Sequence, residues 1–323
     1  MTIGADTALH RITEAIDAIR STASSHQRSF VIEVMGRHCG YLALMSALAT
    51  GANWVLIPEN PPDTDDWEES LGRALTAGRR IGRRQNLVIV AEGARDRHGN
   101  PITADHVKSV LEERLGEDTR VTILGHVQRG GSPSAFDRYL STVLGYAAVQ
   151  QVLTSPGGEP QLIGIREHEI ISSPLMDCVN KTHAVADVIR DGDYESAMEM
   201  RGGSFRNSFD IMRTMVRAQP RSIAPEARQL RLAVLHGGGP APGMNTAVRV
   251  AVRLGLDLGH TMLAVTNGFR GLAGGRIEEM QWMDVSGWVS RGGAELGTSR
   301  QPLSEADLDR IAEQIRSHRI DGL

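Results

Sequence analysis

Two short, largely apolar β-branched runs, at residues 29–34 and 120–124, each open into a loop that sets arginine among glycines. The first continues as Met35-Gly36-Arg37-His38-Cys39-Gly40 and the second as Gly125-His126-Val127-Gln128-Arg129-Gly130-Gly131. A short run this apolar suits a strand covered on both faces of a parallel sheet. The loop that follows such a strand lies at the carboxyl edge of the sheet, where open α/β sheets gather ligands. Arginine presents a planar fork of donors matched to phosphate oxygens, and flanking glycine lets backbone approach a ligand closely. Both loops are therefore expected at one sheet edge, directed at a phosphate.

The rest of the chain supplies the alternation that such a sheet requires. Leu9, Ile12, Ile16 and Ile19 recur at three- and four-residue spacing behind Asp6, which predicts a helix over 6–24 capped by that residue. Further strands are expected at 54–58 and 87–91, and helices at 41–49, 67–84, 104–115 and 134–153. Strand and helix in turn predict an α/β fold with a parallel sheet flanked by helices. Residues 191–219 read as helical, with Met198, Met200, Phe205, Phe209, Met212 and Met215 as packing positions. Two prolines and no periodicity at 218–225 mark a linker, after which a strand from Leu230 turns through Gly237-Gly238-Gly239 into a helix near Gly243. The expected division is 1–217, a linker at 218–229, and 230–323.

At 323 residues the chain exceeds the ~250–300 at which one core stops growing, so two domains are expected. A net charge of −4 argues against nucleic acid or an anionic membrane as partner. The two cysteines cannot build a disulfide framework, and the first residues have neither a basic nor an apolar export pattern. A cytoplasmic location is expected.

The wording of the two loops resembles the ATP-dependent 6-phosphofructokinases, of the duplicated eukaryotic, fungal-like type in which two homologous halves share one chain. Residues 24–59 and 87–153 are similar to the rear of that family's N-terminal, catalytic half, and residues 232–245 to the start of its C-terminal, regulatory half. The resemblance implies two incomplete homologous halves, each with a parallel sheet flanked by helices. It also implies transfer of the ATP γ-phosphoryl group to the 1-hydroxyl of fructose 6-phosphate, the step that forms fructose 1,6-bisphosphate in glycolysis.

Carried over residue by residue, the resemblance assigns Met35, Gly36 and Arg37 to the fructose 6-phosphate site. Arg37 is also the catalytic residue that meets charge on the transferred phosphoryl group. Glu92 would accept a sugar hydroxyl, and His126 and Arg129 would hold the 6-phosphate, with Val127 and Gln128 completing their motif. Arg28 and Arg120 would reach into a site of a neighbouring half, which makes the parent a homo-oligomer, a tetramer or larger. Arg300 becomes a ligand for an effector, fructose 2,6-bisphosphate. Each has a plainer reading. Arg37, Arg28 and Arg120 as surface arginines would pair with acids for ~0–1 kcal/mol apiece, Glu92 would be a solvated acid, His126 a satisfied structural histidine, and Arg300 an arginine before a helix.

ATP and Mg2+ follow from the resemblance alone, and no metal ligand is assigned within the chain. Where catalytic relatives carry an acidic residue after paired glycines, this sequence has Gly239 and Pro240, which argues against ATP at this loop. The family's catalytic aspartate and its first ATP loop precede the segment matching Met1, so the chain alone is expected to be inactive. The alternative is a non-catalytic sugar-phosphate-binding or regulatory polypeptide. A glycine-loop oxidoreductase is disfavoured, because no acidic residue stands where a dinucleotide ribose needs one.

Overall fold

The computed structural model describes residues 2–26, 28–116, 118–155, 157–166, 169–222 and 228–323. The chain forms two compact units, Met1–Arg73 with Arg84–Asp210, and Ala74–Arg83 with Ile211–Leu323. Relative to the expected division, residues 74–83 and 211–217 join the second unit. Part of the expected linker, 223–227, lies outside the described residues.

Along the first part of the chain, α1 (Ala5–His26), β1 (Ser29–Val34), α2 (Tyr41–Thr50), β2 (Trp54–Leu56) and α3 (Trp67–Arg80), of which residues 74–80 count with the second unit, precede β3 (Asn86–Ala91), α4 (Ala104–Leu115), β4 (Thr119–Ile123) and α5 (Ala135–Thr154). The strands form one parallel sheet in the order β2-β3-β1-β4. Val31, Ile32 and Val34 of β1 and Leu87 to Ala91 of β3 are at most 1% exposed, so these central strands carry the most apolar stretches, interrupted in β1 by Glu33. Each such valine, leucine or isoleucine side chain contributes roughly 1.5–3 kcal/mol on burial. β4 lies at the sheet edge, and Ile123 there is exposed.

Asp6 is not the cap of α1; it lies inside the first turn and accepts a hydrogen bond from the Ser134 hydroxyl. The free N–H groups at that helix end are met by Asp137 of α5, which accepts from Gly4 (2.9 Å), from the Thr7 backbone (2.8 Å) and from the Thr7 hydroxyl. Burial pushes the Asp137 carboxyl up, but hydrogen bonds from Thr7 and Gly4 outweigh it and hold the group below the usual carboxylate range.

Beyond α5 the chain forms an antiparallel pair that the pattern did not announce, β5 (Gln161–Arg166) with β6 (Glu169–Pro174), then α6 (Leu175–Arg190). The single helical stretch expected over 191–219 is two helices, α7 (Tyr194–Arg201) and α8 (Gly203–Met215), divided at Gly202 (φ 94°).

The second unit holds a three-stranded sheet. β7 (Arg231–Val234) leads into α9 (Met244–Asp257) and pairs parallel with β8 (Thr261–Val265). Along β8, Met262 and Ala264 enter one apolar cluster with Val248, Val252 and Trp288, while Leu263 and Val265 enter another with Leu272, Ile311 and Ile320, the alternation of a strand packed on both faces. From β8 the chain runs through α10 (Gly268–Ala273) to β9 (Ile277–Met280), which pairs antiparallel with β8. A parallel return needs a crossover of a dozen or more residues, and α10 has only six. The parallel arrangement expected throughout therefore holds for the first sheet and for β7–β8, but not for β9.

α11 (Glu305–Ser317) closes the unit, and the chain then runs beside β7, with Asp321 N–H donating to Arg231 (2.8 Å) and Ala233 N–H to Gly322 (2.9 Å). The start of the expected linker is tied down as well. Buried Asp257 accepts from the Arg217 guanidinium and from Arg221 through both Nε (3.0 Å) and backbone N–H (3.1 Å).

Candidate functional site

Because β3, β1 and β4 are neighbours and parallel, the residues that follow each strand emerge together at one carboxyl edge. Glu92 follows β3, Met35-Gly36-Arg37 follows β1, and Gly125–Arg129 follows β4 as a single 3-10 turn. Backbone ladders extend this edge, with Glu92 N–H donating to Val34 (2.9 Å) and Leu124 N–H to Glu33 (3.1 Å).

Side chains then lock the β1 loop to both neighbours. Met35 N–H donates to Oε1 of Gln128 (3.2 Å), and Gln128 Nε2 donates back to Gly125 (3.1 Å). From the other side, Oε1 of Glu92 accepts both the Gly36 N–H (3.2 Å) and the Arg37 N–H. Arg37 has φ 53°, a left-handed conformation uncommon for a residue with a Cβ. Such a backbone costs about 1–3 kcal/mol and persists where its surroundings determine it. Gly93 is part of those surroundings, since a Cβ there would lie 2.0 Å from the Arg37 carbonyl oxygen.

The residues named from the sequence thus sort into two kinds. Arg37, His126, Val127 and Arg129 are exposed at the edge, and among the described residues no acid pairs with the two guanidinium groups. Gln128 is 2% exposed and works on the loop, as does Oε1 of Glu92. Arg37 and Arg129 are exposed at this edge, while the two acceptors hold the backbone of the loop that carries Arg37.

Arg28 and Arg120 stand at the amino ends of β1 and β4, the opposite edge of the sheet. Both meet one carboxylate, Asp118, at 3.1 Å from Arg28 Nε and 2.9 Å from Arg120 Nη2. Asp118 thus bridges the two guanidinium groups.

In the second unit, the loop between β7 and α9 comes against Arg300. A Cβ on Gly239 would lie 2.0 Å from Nη2 of Arg300, so the missing side chain is what admits the guanidinium. Fully buried Asn245, at the start of α9, binds the carbonyls of Arg291 (3.1 Å) and Gly292 (3.2 Å) and the N–H of Glu295 (2.7 Å). Among the described residues no group of three or more His, Cys, Asp or Glu side chains is arranged to hold a metal.

Reading the sequence missed Glu59 and Arg201, which touch the same β1 loop. Glu59 accepts the Gly40 N–H, and Arg201 reaches both Glu59 and the His38 carbonyl. No motif links them, because 142 residues separate the pair.

A family model described as phosphofructokinase matches residues 1–152 and 231–323. The human liver-type ATP-dependent 6-phosphofructokinase is 50% identical over 324 residues, which cover 100% of this chain and 41% of that protein. The ATP-dependent 6-phosphofructokinase of Dictyostelium discoideum is 48% identical, with 100% and 39% covered. Among solved structures, Pichia pastoris phosphofructokinase in the T-state superposes with a TM-score of 0.93 at 44% identity, covering 100% of this chain and 35% of that one. Phosphofructokinase from Saccharomyces cerevisiae also gives 0.93, at 40% identity, with 100% and 43% covered. The chain spans about two-fifths of the length of the curated relatives it matches. With most of its residues matched by the family model and its whole length by these folds, the chain belongs to the phosphofructokinase family.

Proposed function

We propose that this chain works as part of an ATP-dependent 6-phosphofructokinase of the cytoplasm, in which its first unit binds fructose 6-phosphate and helps move the ATP γ-phosphoryl group to the 1-hydroxyl. The observation that carries the reading is the shared edge of β3, β1 and β4, where Arg37, His126 and Arg129 face outward from loops fastened by Gln128 and Glu92. His126 and Arg129 hold a phosphate already present in the ground state. Arg37 faces charge that builds on the transferred phosphoryl oxygens, and a guanidinium held in advance lowers that barrier. Val127 is exposed beside them, and Met35 lines the same loop.

ATP is the phosphoryl donor and Mg2+ its companion in this reading, by kinship. We assign neither to a residue of this chain, and Gly239-Pro240 lacks the carboxylate that catalytic relatives carry at this loop. The second unit takes a sugar bisphosphate such as fructose 2,6-bisphosphate through Arg300, and Arg28 and Arg120 serve a facing half in a homo-oligomer of four or more subunits. The place of Arg28 and Arg120 at the sheet edge opposite Arg37 supports the second assignment, and the close approach of Arg300 to the Gly239 loop supports the first.

Steady-state kinetics of the complete enzyme test the reading. Arg37→Ala should lower kcat, whereas His126→Ala and Arg129→Ala should chiefly raise KM for fructose 6-phosphate, because only Arg37 meets charge that develops during transfer. Equal losses in kcat with unchanged KM for all three would contradict it.

A further inference from the structure

The β1 loop is held from behind as well as from its two flanking strands. Arg201, the last residue of α7, donates from Nη2 to the His38 carbonyl (2.7 Å) and from Nε to Oε1 of Glu59 (2.7 Å). Glu59 in turn accepts the Gly40 N–H on both oxygens, at 3.0 and 2.9 Å, and its side chain is fully buried. That carboxylate also stands at the start of α2, whose cap position, Gly40, has no side chain to offer, a site where negative charge suits the helix dipole. Cys39 lies between these groups, and burial, then the Glu59 charge, push its thiol up, which keeps it protonated beside the ion pair.

We propose that Arg201 is a positioning residue for Arg37, fixing through His38 and Glu59 the turn that aims the Arg37 guanidinium at the transferred phosphoryl group. The inference rests on the phosphoryl-transfer reading above. Arg37 sits in a left-handed turn closed by the Cys39 N–H donating to Gly36 (2.9 Å). Glu92 holds the peptide N–H that enters Arg37, and Arg201 holds the carbonyl that leaves His38, so the turn is gripped at both ends. Two donors diverging from one rigid fork are needed to span a carbonyl and a carboxylate, which a lysine ammonium on a flexible stem does not reproduce.

The test uses the complete enzyme and reads kcat, KM and thermal midpoint for Arg201→Met, Arg201→Lys and the double variant Glu59→Gln/Arg201→Met. Arg201→Met should lower kcat about 10- to 100-fold, the scale on which small misplacement of a catalytic group acts, with KM for fructose 6-phosphate changed by less than about threefold. Arg201→Lys should recover only part of that loss. The double variant should regain most of the thermal midpoint lost in Arg201→Met, because no unpaired charge stays buried. Its kcat should remain low, since the His38 carbonyl is still unheld. Turnover that returns with the midpoint, turnover unchanged in Arg201→Met, or a raised KM at full kcat would overturn the inference. Absence of phosphofructokinase activity in the unsubstituted enzyme would instead overturn the reading beneath it, and this inference with it.

Discussion

Glu92 accepts the backbone N–H of Arg37 on the same oxygen that accepts Gly36. The carboxylate at the end of one strand therefore sets the conformation of the cation at the end of the next. Hydrogen bonds to a charged acceptor contribute about 1.5–3 kcal/mol, the same scale as the cost of the left-handed backbone at Arg37.

Glu92→Ala should for this reason reduce turnover about tenfold or more, as the Arg37 turn relaxes. Glu92→Gln keeps an acceptor oxygen at the same place and should retain most of kcat. Equal loss in the two variants, confined to KM, would mean that Glu92 acts only on a sugar hydroxyl and not on the loop. Stopped or coupled assays at saturating sugar phosphate separate the outcomes.

The sheet edge was legible because β1 and β3 are buried on both faces, so their sequences are largely apolar runs, broken within β1 only at Glu33, whose ends mark the loops. β5 was not, because Gln161–Arg166 breaks Leu162, Ile163 and Ile165 with Gly164, giving neither alternation nor a continuous run. Contacts between distant residues left no trace either. Asp6 looks like a cap from its position before a periodic stretch, yet Asp137 performs that task from far along the chain. Glu59 and Arg201 are likewise ordinary in sequence, and only the fold brings them to the loop of Arg37.

At the opposite sheet edge, Asp118 competes with any anion for Arg28 and Arg120. If these arginines meet an effector phosphate, Asp118→Asn should strengthen fructose 2,6-bisphosphate activation, by up to about fivefold in the half-maximal concentration for each of the two pairs released, given ~0–1 kcal/mol for an exposed pair. Arg28→Ala with Arg120→Ala should blunt activation more than basal substrate affinity. Collapse of substrate affinity with activation intact would show that the two arginines face the catalytic site.

The cap of α11 carries a pH dependence. Ser304 donates to Asp307 from its hydroxyl and its backbone, and Arg310 adds a third donor, which together lower the Asp307 carboxyl to about 2. An unfolded aspartate titrates near 3.9. The folded group is the stronger acid, so its contribution is complete above about pH 4 and is lost as pH falls toward about 2. Asp307→Asn should lower the thermal midpoint at neutral pH and flatten its decline between those values. A decline as steep as in the unsubstituted protein would assign the acid limb to other carboxylates.

Gly239 offers the cleanest separation of stability from effector binding in the second unit. The three atoms nearest a methyl group there all belong to the Arg300 guanidinium, with Nη2 at 2.0 Å, and the backbone of Gly239 is not among those with positive φ. The colliding atoms are the far end of a flexible side chain, so Gly239→Ala should turn Arg300 aside at little structural cost, within about 0.5 kcal/mol of the unsubstituted protein. If Arg300 must lie across the glycine loop to take an effector phosphate, Gly239→Ala should weaken fructose 2,6-bisphosphate activation in the same direction as Arg300→Ala, with both thermal midpoints unchanged. Activation that survives Gly239→Ala but not Arg300→Ala would show that Arg300 binds from another rotamer and that its contact with the loop is packing alone.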